Sequence, residues 1–146
     1  MQLPPAPPAM ASYVPTRTVP LGDGRALVYV AGQVPRREDG SLLTGRCPDQ
    51  VPVEVAQEAA RLCALNILAQ LDAAAGLDNV EQIAQVIGFV LSQDGFGEQP
   101  KVINAASELM VEVLGEAGRH SRAALGTNAL PSGVTVEIAA VAVVKT

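Results

Sequence analysis

The stretch Ser121–Val144, SRAALGTNALPSGVTVEIAAVAVV, holds two apolar runs parted by Leu130-Pro131-Ser132-Gly133. Each run is short, rich in Ala, Val, Leu and Ile, and bounded by turn formers, a pattern that favours strands over helices. The spacing predicts strands around Ser121–Asn128 and Val134–Val144. Two charged residues interrupt them: Arg122, set among Ala123, Ala124, Leu125 and Gly126, and Glu137, on the face shared by Thr135, Ala139 and Val141.

Upstream, Pro100 opens a helix in which Ile103, Ala106, Leu109 or Met110, Val113 and Ala117 form a buried stripe ending at Gly118. Val80–Ser92 reads as a strand between the turn signals Gly76 and Asp94-Gly95. An earlier helix starts near Pro52. Its apolar positions Ala56, Ala60, Cys63, Ile67 and Leu71 recur at three- and four-residue steps up to Gly76. A polar loop runs from Pro35 to Pro48, and before it Tyr13–Val19 and Ala26–Gln33 read as strands joined by Leu21-Gly22-Asp23-Gly24. Residues 1–11, with four prolines, form an extended lead-in to a single domain over 12–146. The order β-β-α-β-α-β-β predicts an α+β fold, one sheet with two helices on one face. The other face is left bare, and copies of the chain are the simplest cover for it.

Composition narrows the function. With 146 residues the chain holds one core, and 49% of it is hydrophobic against 17% charged. Ten basic and 15 acidic residues give a net charge of −5, which repels phosphate backbones and argues against nucleic-acid partners. No apolar run reaches the ~20 residues that span a bilayer, and the first residues lack the pattern of a secretion signal. A cytoplasmic protein with no membrane partner is the expectation. Cys47 and Cys63, in no paired spacing, read as reduced thiols.

Catalytic inventories are short. His120 is the only histidine, so a zinc centre built on several imidazoles is excluded and no metal is expected. Ser121 adjoins His120, but neighbours in a strand point to opposite faces, so the two do not form a nucleophile and base. His120 reads better as a cation capping the preceding helix. Arg122 is the stronger signal, because a guanidinium fork matches a carboxylate bidentately and small neighbours let a ligand approach it. Its plain alternative is a stem covering the sheet edge with its head in water. Glu137 is either a partly exposed strand residue, an ion-pair partner, or a carboxylate that orients or deprotonates a water.

Ser12-Tyr13-Val14, Val30-Ala31-Gly32-Gln33-Val34-Pro35, Asn104, Arg122, and Leu130-Pro131 through Val136-Glu137-Ile138 together resemble the RidA (YjgF) family of imine/enamine deaminases. The match runs in order from about Tyr13 to Val144. The resemblance implies a chorismate-mutase-like fold and a homotrimer whose three sheets form a central barrel, with clefts between subunits. It implies that Arg122 grips the carboxylate of a 2-imino or 2-enamino acid, that Glu137 binds or activates water, and that no cofactor is used. Tyr13 would line the pocket, Ala31 and Gly32 would border the ligand, Asn104 would support the site by hydrogen bonding, and the Ala124 N–H would assist at the carboxylate. Ala31 stands where the family often has a hydroxyl, and Ala123-Ala124 where it often has Ser-Cys. The segment from Gln99 to His120 resembles a longer-form branch. Two other readings accompany this one: a non-catalytic carboxylate-binding protein, and an enzyme acting on a larger carboxylated intermediate. Some relatives are labelled endoribonucleases, for which two phenylalanines offer little stacking surface.

Overall fold

A computed structural model describes residues 2–146. Five strands, β1 (Thr16–Gly22), β2 (Arg25–Gln33), β3 (Val80–Leu91), β4 (Ser121–Thr127) and β5 (Val136–Lys145), form one sheet in the order β1-β2-β5-β3-β4. Two helices, α1 (Val53–Ala75) and α2 (Gln99–Leu114), complete it. Only β3 and β4 run parallel, because α2 carries the chain back between them; all other pairs are antiparallel. The predicted element order and the two-helix layer are as observed. The first strand begins at Thr16 instead of Tyr13, since Pro15 and the segment before it belong to the lead-in. The second helix stops at Leu114, and Gly115–Gly118 turns as a short 3-10 segment.

Alternation along β5 sets the two faces. Val136, Ile138, Ala140, Ala142 and Val144 are buried beneath the helices, while the residues between them are only partly covered. The predicted α1 stripe, Ala56, Ala60, Cys63, Ile67 and Leu71, is wholly inaccessible. Pro52 gives α1 no side-chain cap, an omission of about 1 kcal/mol. Burying Ile67, Leu68 and Leu71 contributes about 1.5–3 kcal/mol each, so packing rather than capping holds this helix. On β3, Gly88 lets α2 approach closely: a methyl group there would lie 2.7 Å from Ile103 Cδ1.

On the far side the sheet exposes apolar area. Tyr29 and Leu125 are each 47% accessible and Val19 is 42% accessible. In register, Arg17–Tyr29–Val141 and Glu137–Phe89–Leu125 run as rows across this face.

The proline-rich lead-in is extended and lies against the domain. Leu3 packs on the core, and the carbonyl of Pro7 accepts a hydrogen bond from Gln70 Nε2 of α1 at 2.7 Å. Gln70 is itself buried, so this bond satisfies an amide that would otherwise be costly inside the fold. No helix is long and apolar enough to cross a membrane among the described residues.

Candidate functional site

An irregularity in the β2–β5 pairing builds the main cavity. Val30 pairs with Ala140 and Gln33 with Ile138, so β2 spends one extra residue across this step. Such a bulge re-aims the backbone. Here it presses Gly32 against Glu137: a methyl group at Gly32 would overlap Oε2 and sit 3.0 Å from the carboxyl carbon. Only glycine leaves the Glu137 carboxyl its position.

Glu137 and Gly32 open onto a cavity of about 540 Å³. Ala31 and Tyr13 line it too, as do Arg36 and Leu42 from the loop after β2 and Ser132 from the turn before β5. The remaining wall is the lead-in, through Pro7, Pro8, Met10 and Ala11. Tyr13 is placed by local bonds: its N–H donates to the Ala11 carbonyl at 2.9 Å, and its hydroxyl accepts from the Met10 N–H at 3.3 Å. Burial pushes the Glu137 carboxyl above its ordinary pKa, with no other cause acting on it. A carboxyl with its pKa raised in this way is a stronger proton acceptor than an exposed one.

Arg122 is elsewhere. It pairs with Val86, whose side chain is in the core, so it stands on the helix-covered face. Its Nη1 donates to Ser107 Oγ and its Nη2 to the Pro100 carbonyl, each at 3.1 Å. Glu137 is aligned with Phe89 and Leu125, three residues along and two strands across, on the other face. Strand spacings put the two Cα atoms roughly 14 Å apart. One chain therefore brings Tyr13, Ala31, Gly32 and Glu137 together and leaves Arg122 in a separate, open cleft of about 290 Å³ with Ser107, Val111, Arg119 and His120.

Asn104 is exposed on α2, between Pro100 and Ser107 on the stripe that faces Arg122. Ala124 lies on the same face of edge strand β4, opposite Gly88. Thr135 precedes β5 and is fully buried, whereas Glu137, Ala139 and Val141 are only partly covered. His120 departs from expectation as well. It meets the Gly118 carbonyl at 2.6 Å through Nδ1, but burial lowers its pKa, so it ends the α2 segment as a neutral ring and not as a cation.

The lining contributed by the lead-in, and the Ser107–His120 contact at 2.9 Å, were not read from sequence. A proline-rich tail carries no periodicity that would fix where it docks. Ser107 did carry one signal, its place three residues after Asn104 on one helical stripe.

Sheet order, helix layer and cavity define the class: a chorismate-mutase-like α+β domain with a carboxyl-bearing pocket at a strand bulge. The chain belongs to the family described as "YjgF/chorismate_mutase-like, putative endoribonuclease", whose model matches residues 1–141. Among solved structures, the Agrobacterium tumefaciens protein Atu1372, of unknown function, is similar at 43% identity, with a TM-score of 0.84 over 92% of this chain and 85% of that one. A "putative endoribonuclease" from Shewanella oneidensis is 30% identical with a TM-score of 0.84, over 97% of this chain and 91% of its own. Protein TCP17 of Trypanosoma cruzi is 42% identical over 113 residues, 76% of this chain and 71% of that protein.

Proposed function

We propose that this protein hydrolyses 2-imino and 2-enamino carboxylic acids to 2-keto acids and ammonia, in sites completed between copies of the chain arranged as a trimer. The supporting observation is the division of the two key groups. A half-buried carboxyl with a raised pKa lines a cavity on one sheet face, and the guanidinium best placed for a carboxylate stands on the other. Arg122 of one copy and Glu137 of the next would flank one ligand.

In this reading Arg122 holds the substrate carboxylate, with Asn104 beside it and the Ala124 N–H assisting. Tyr13, Ala31 and Gly32 border the carbon skeleton. Glu137 takes a proton from a water whose oxygen adds to C2, and the C=N electron pair moves to nitrogen. Glu137 returns that proton to the nitrogen to give the carbinolamine, then takes the proton of its C2 hydroxyl and delivers it to the amino group as the C–N bond breaks, so that ammonia leaves and the C2–O bond becomes the keto group. Positioning and charge stabilisation suffice for a reaction this facile, and no cofactor enters the scheme.

The cavity volume favours a second form of the same chemistry, on a larger carboxylated substrate. About 540 Å³ falls within the ~300–1,000 Å³ of pockets that enclose drug-sized ligands, and the smallest imino acids would fill a fraction of it. Cleavage of RNA, named in the family description, has less support, because a net charge of −5 opposes phosphate binding.

The test is keto-acid release from freshly generated 2-iminopropionate and longer imines. The wild type should accelerate it. Glu137→Gln should lower kcat by about 10²–10⁴-fold, and Arg122→Ala should raise KM by at least about tenfold. A wild-type rate no faster than buffer for every imine would refute the reaction, and a 2-keto acid bound without turnover would leave a carboxylate-binding protein.

A further inference from the structure

The cleft around Arg122 contains a directional hydrogen-bond chain that the proposed chemistry does not use. His120 Nδ1 lies 2.6 Å from the Gly118 carbonyl, which can only accept, so Nδ1 carries the proton. In the neutral ring Nε2 is then an acceptor. Ser107 Oγ lies 2.9 Å from Nε2 and donates its only proton there. This leaves the hydroxyl's lone pairs for Arg122 Nη1, which donates to it at 3.1 Å. Every proton direction from Gly118 to Arg122 follows from the first.

The far end of the chain is also tied. Arg122 Nη2 donates to the Pro100 carbonyl at 3.1 Å, so the guanidinium plane is held at two points on α2, about two turns apart. A guanidinium has about five N–H donors; these bonds engage one on each terminal nitrogen, and the others stay available for a bidentate partner.

Gly118 is fixed in turn. A methyl group there would overlap the Met110 carbonyl and come within 2.9 Å of the Val111 N–H, both backbone atoms of α2. The carbonyl that sets the His120 tautomer is therefore registered to the helix that carries Ser107.

We propose that Ser107 and His120 are positioning residues for Arg122: with the Gly118 carbonyl they hold the guanidinium in the orientation that receives a carboxylate. The inference rests on the reading of Arg122 as the carboxylate anchor. Its consequence is an anchor that depends on a neutral imidazole. Once His120 is protonated, Nε2–H and Nη1–H both aim at Ser107 Oγ, and the hydroxyl proton loses its acceptor.

The charges around the ring reinforce this. Burial is the largest cause disfavouring its protonation; the Gly118 hydrogen bond opposes this, and Arg122 of β4, facing His120 across Ser107, adds a smaller effect in the same direction as burial. Arg119 lines the same cleft, and its neighbour Glu116 is 3.9 Å from it and highly exposed. No carboxylate pairs with His120 among the described residues.

The experiment measures KM and kcat for imine hydrolysis against pH, with calorimetric binding of the 2-keto acid product as a second readout. Ser107→Ala and His120→Ala should each raise KM and the product Kd about three- to tenfold at neutral pH, with kcat changed less. Ser107→Thr, which restores the hydroxyl, should recover most of the loss. His120→Gln offers an amide oxygen in place of Nε2 and does not titrate, so it should keep near-native KM while removing the acid-side rise in KM expected of wild type. The inference is overturned if Ser107→Ala leaves KM and Kd unchanged, or if the acid limb of His120→Gln matches wild type. A wild type that neither turns over imines nor binds keto acids refutes the anchor itself, and this inference with it. Native activity with indifferent Ser107 and His120 variants refutes only the positioning role.

Discussion

Glu137 illustrates how burying one carboxyl couples stability to pH. Its neighbours are Gly32 and the apolar lining of a cavity, and burial alone shifts its pKa upward. In the unfolded chain the carboxyl titrates near ~4.3. Because the folded value is higher, ionisation is disfavoured in the fold. The stability present below the unfolded value therefore falls as pH rises through the folded pKa, and stays lower above it. Glu137→Gln removes the charge and should make the unliganded protein more heat-stable than wild type at pH 7, by a few degrees at most, with no advantage near pH 4. Thermal melts at the two pH values check this, and equal melting at pH 7 would contradict it. Sequence singled out Arg122 and Glu137 by their charge in apolar strands. It did not show that Ser107 and His120 meet, because they lie thirteen residues apart across a helix end and a 3-10 turn.

At the scale of elements, the lead-in shows what periodicity omits. Prolines at positions 4, 5, 7 and 8 rule out helix and sheet there. They say nothing of where the segment lies, which is decided by one buried amide, Gln70, and by the apolar rim of the cavity. Deleting residues 2–11 removes the wall formed by Pro7, Pro8, Met10 and Ala11. An apolar substrate side chain that loses about 60 Å² of burial at ~25 cal/mol per Å² weakens by about 1.5 kcal/mol, or roughly tenfold. The truncated protein should therefore show a KM about tenfold higher for imines with long apolar side chains, and within about twofold of native for 2-iminopropionate. Equal effects on both substrates would mean that the segment supports the fold and not selectivity. The helices, by contrast, were legible, since their three- and four-residue apolar steps survive as the buried stripe of α1.

For the whole molecule, the prediction is assembly. One sheet face is covered by α1 and α2, and the other presents Tyr29, Val19 and Leu125 to solvent. Light scattering at micromolar concentration should give about 45 kDa, three chains of 15.1 kDa. Tyr29→Asp, which places a charge on that face, should shift the mass toward one chain and abolish turnover together, because Arg122 and Glu137 would no longer share a ligand. A monomeric, active wild type would overturn the intersubunit site.

The sequence by itself determined the element order, the faces of the helices and the two charged residues in apolar strands. Those follow from local periodicity, turn chemistry and composition, which are properties of neighbouring residues. Tertiary structure alone decided that Arg122 and Glu137 occupy opposite sheet faces, that a bulge seats Gly32 on Glu137, and that the lead-in walls the cavity. These depend on strand order and register, set by contacts between segments far apart in the chain, where the pattern of any one segment carries no information.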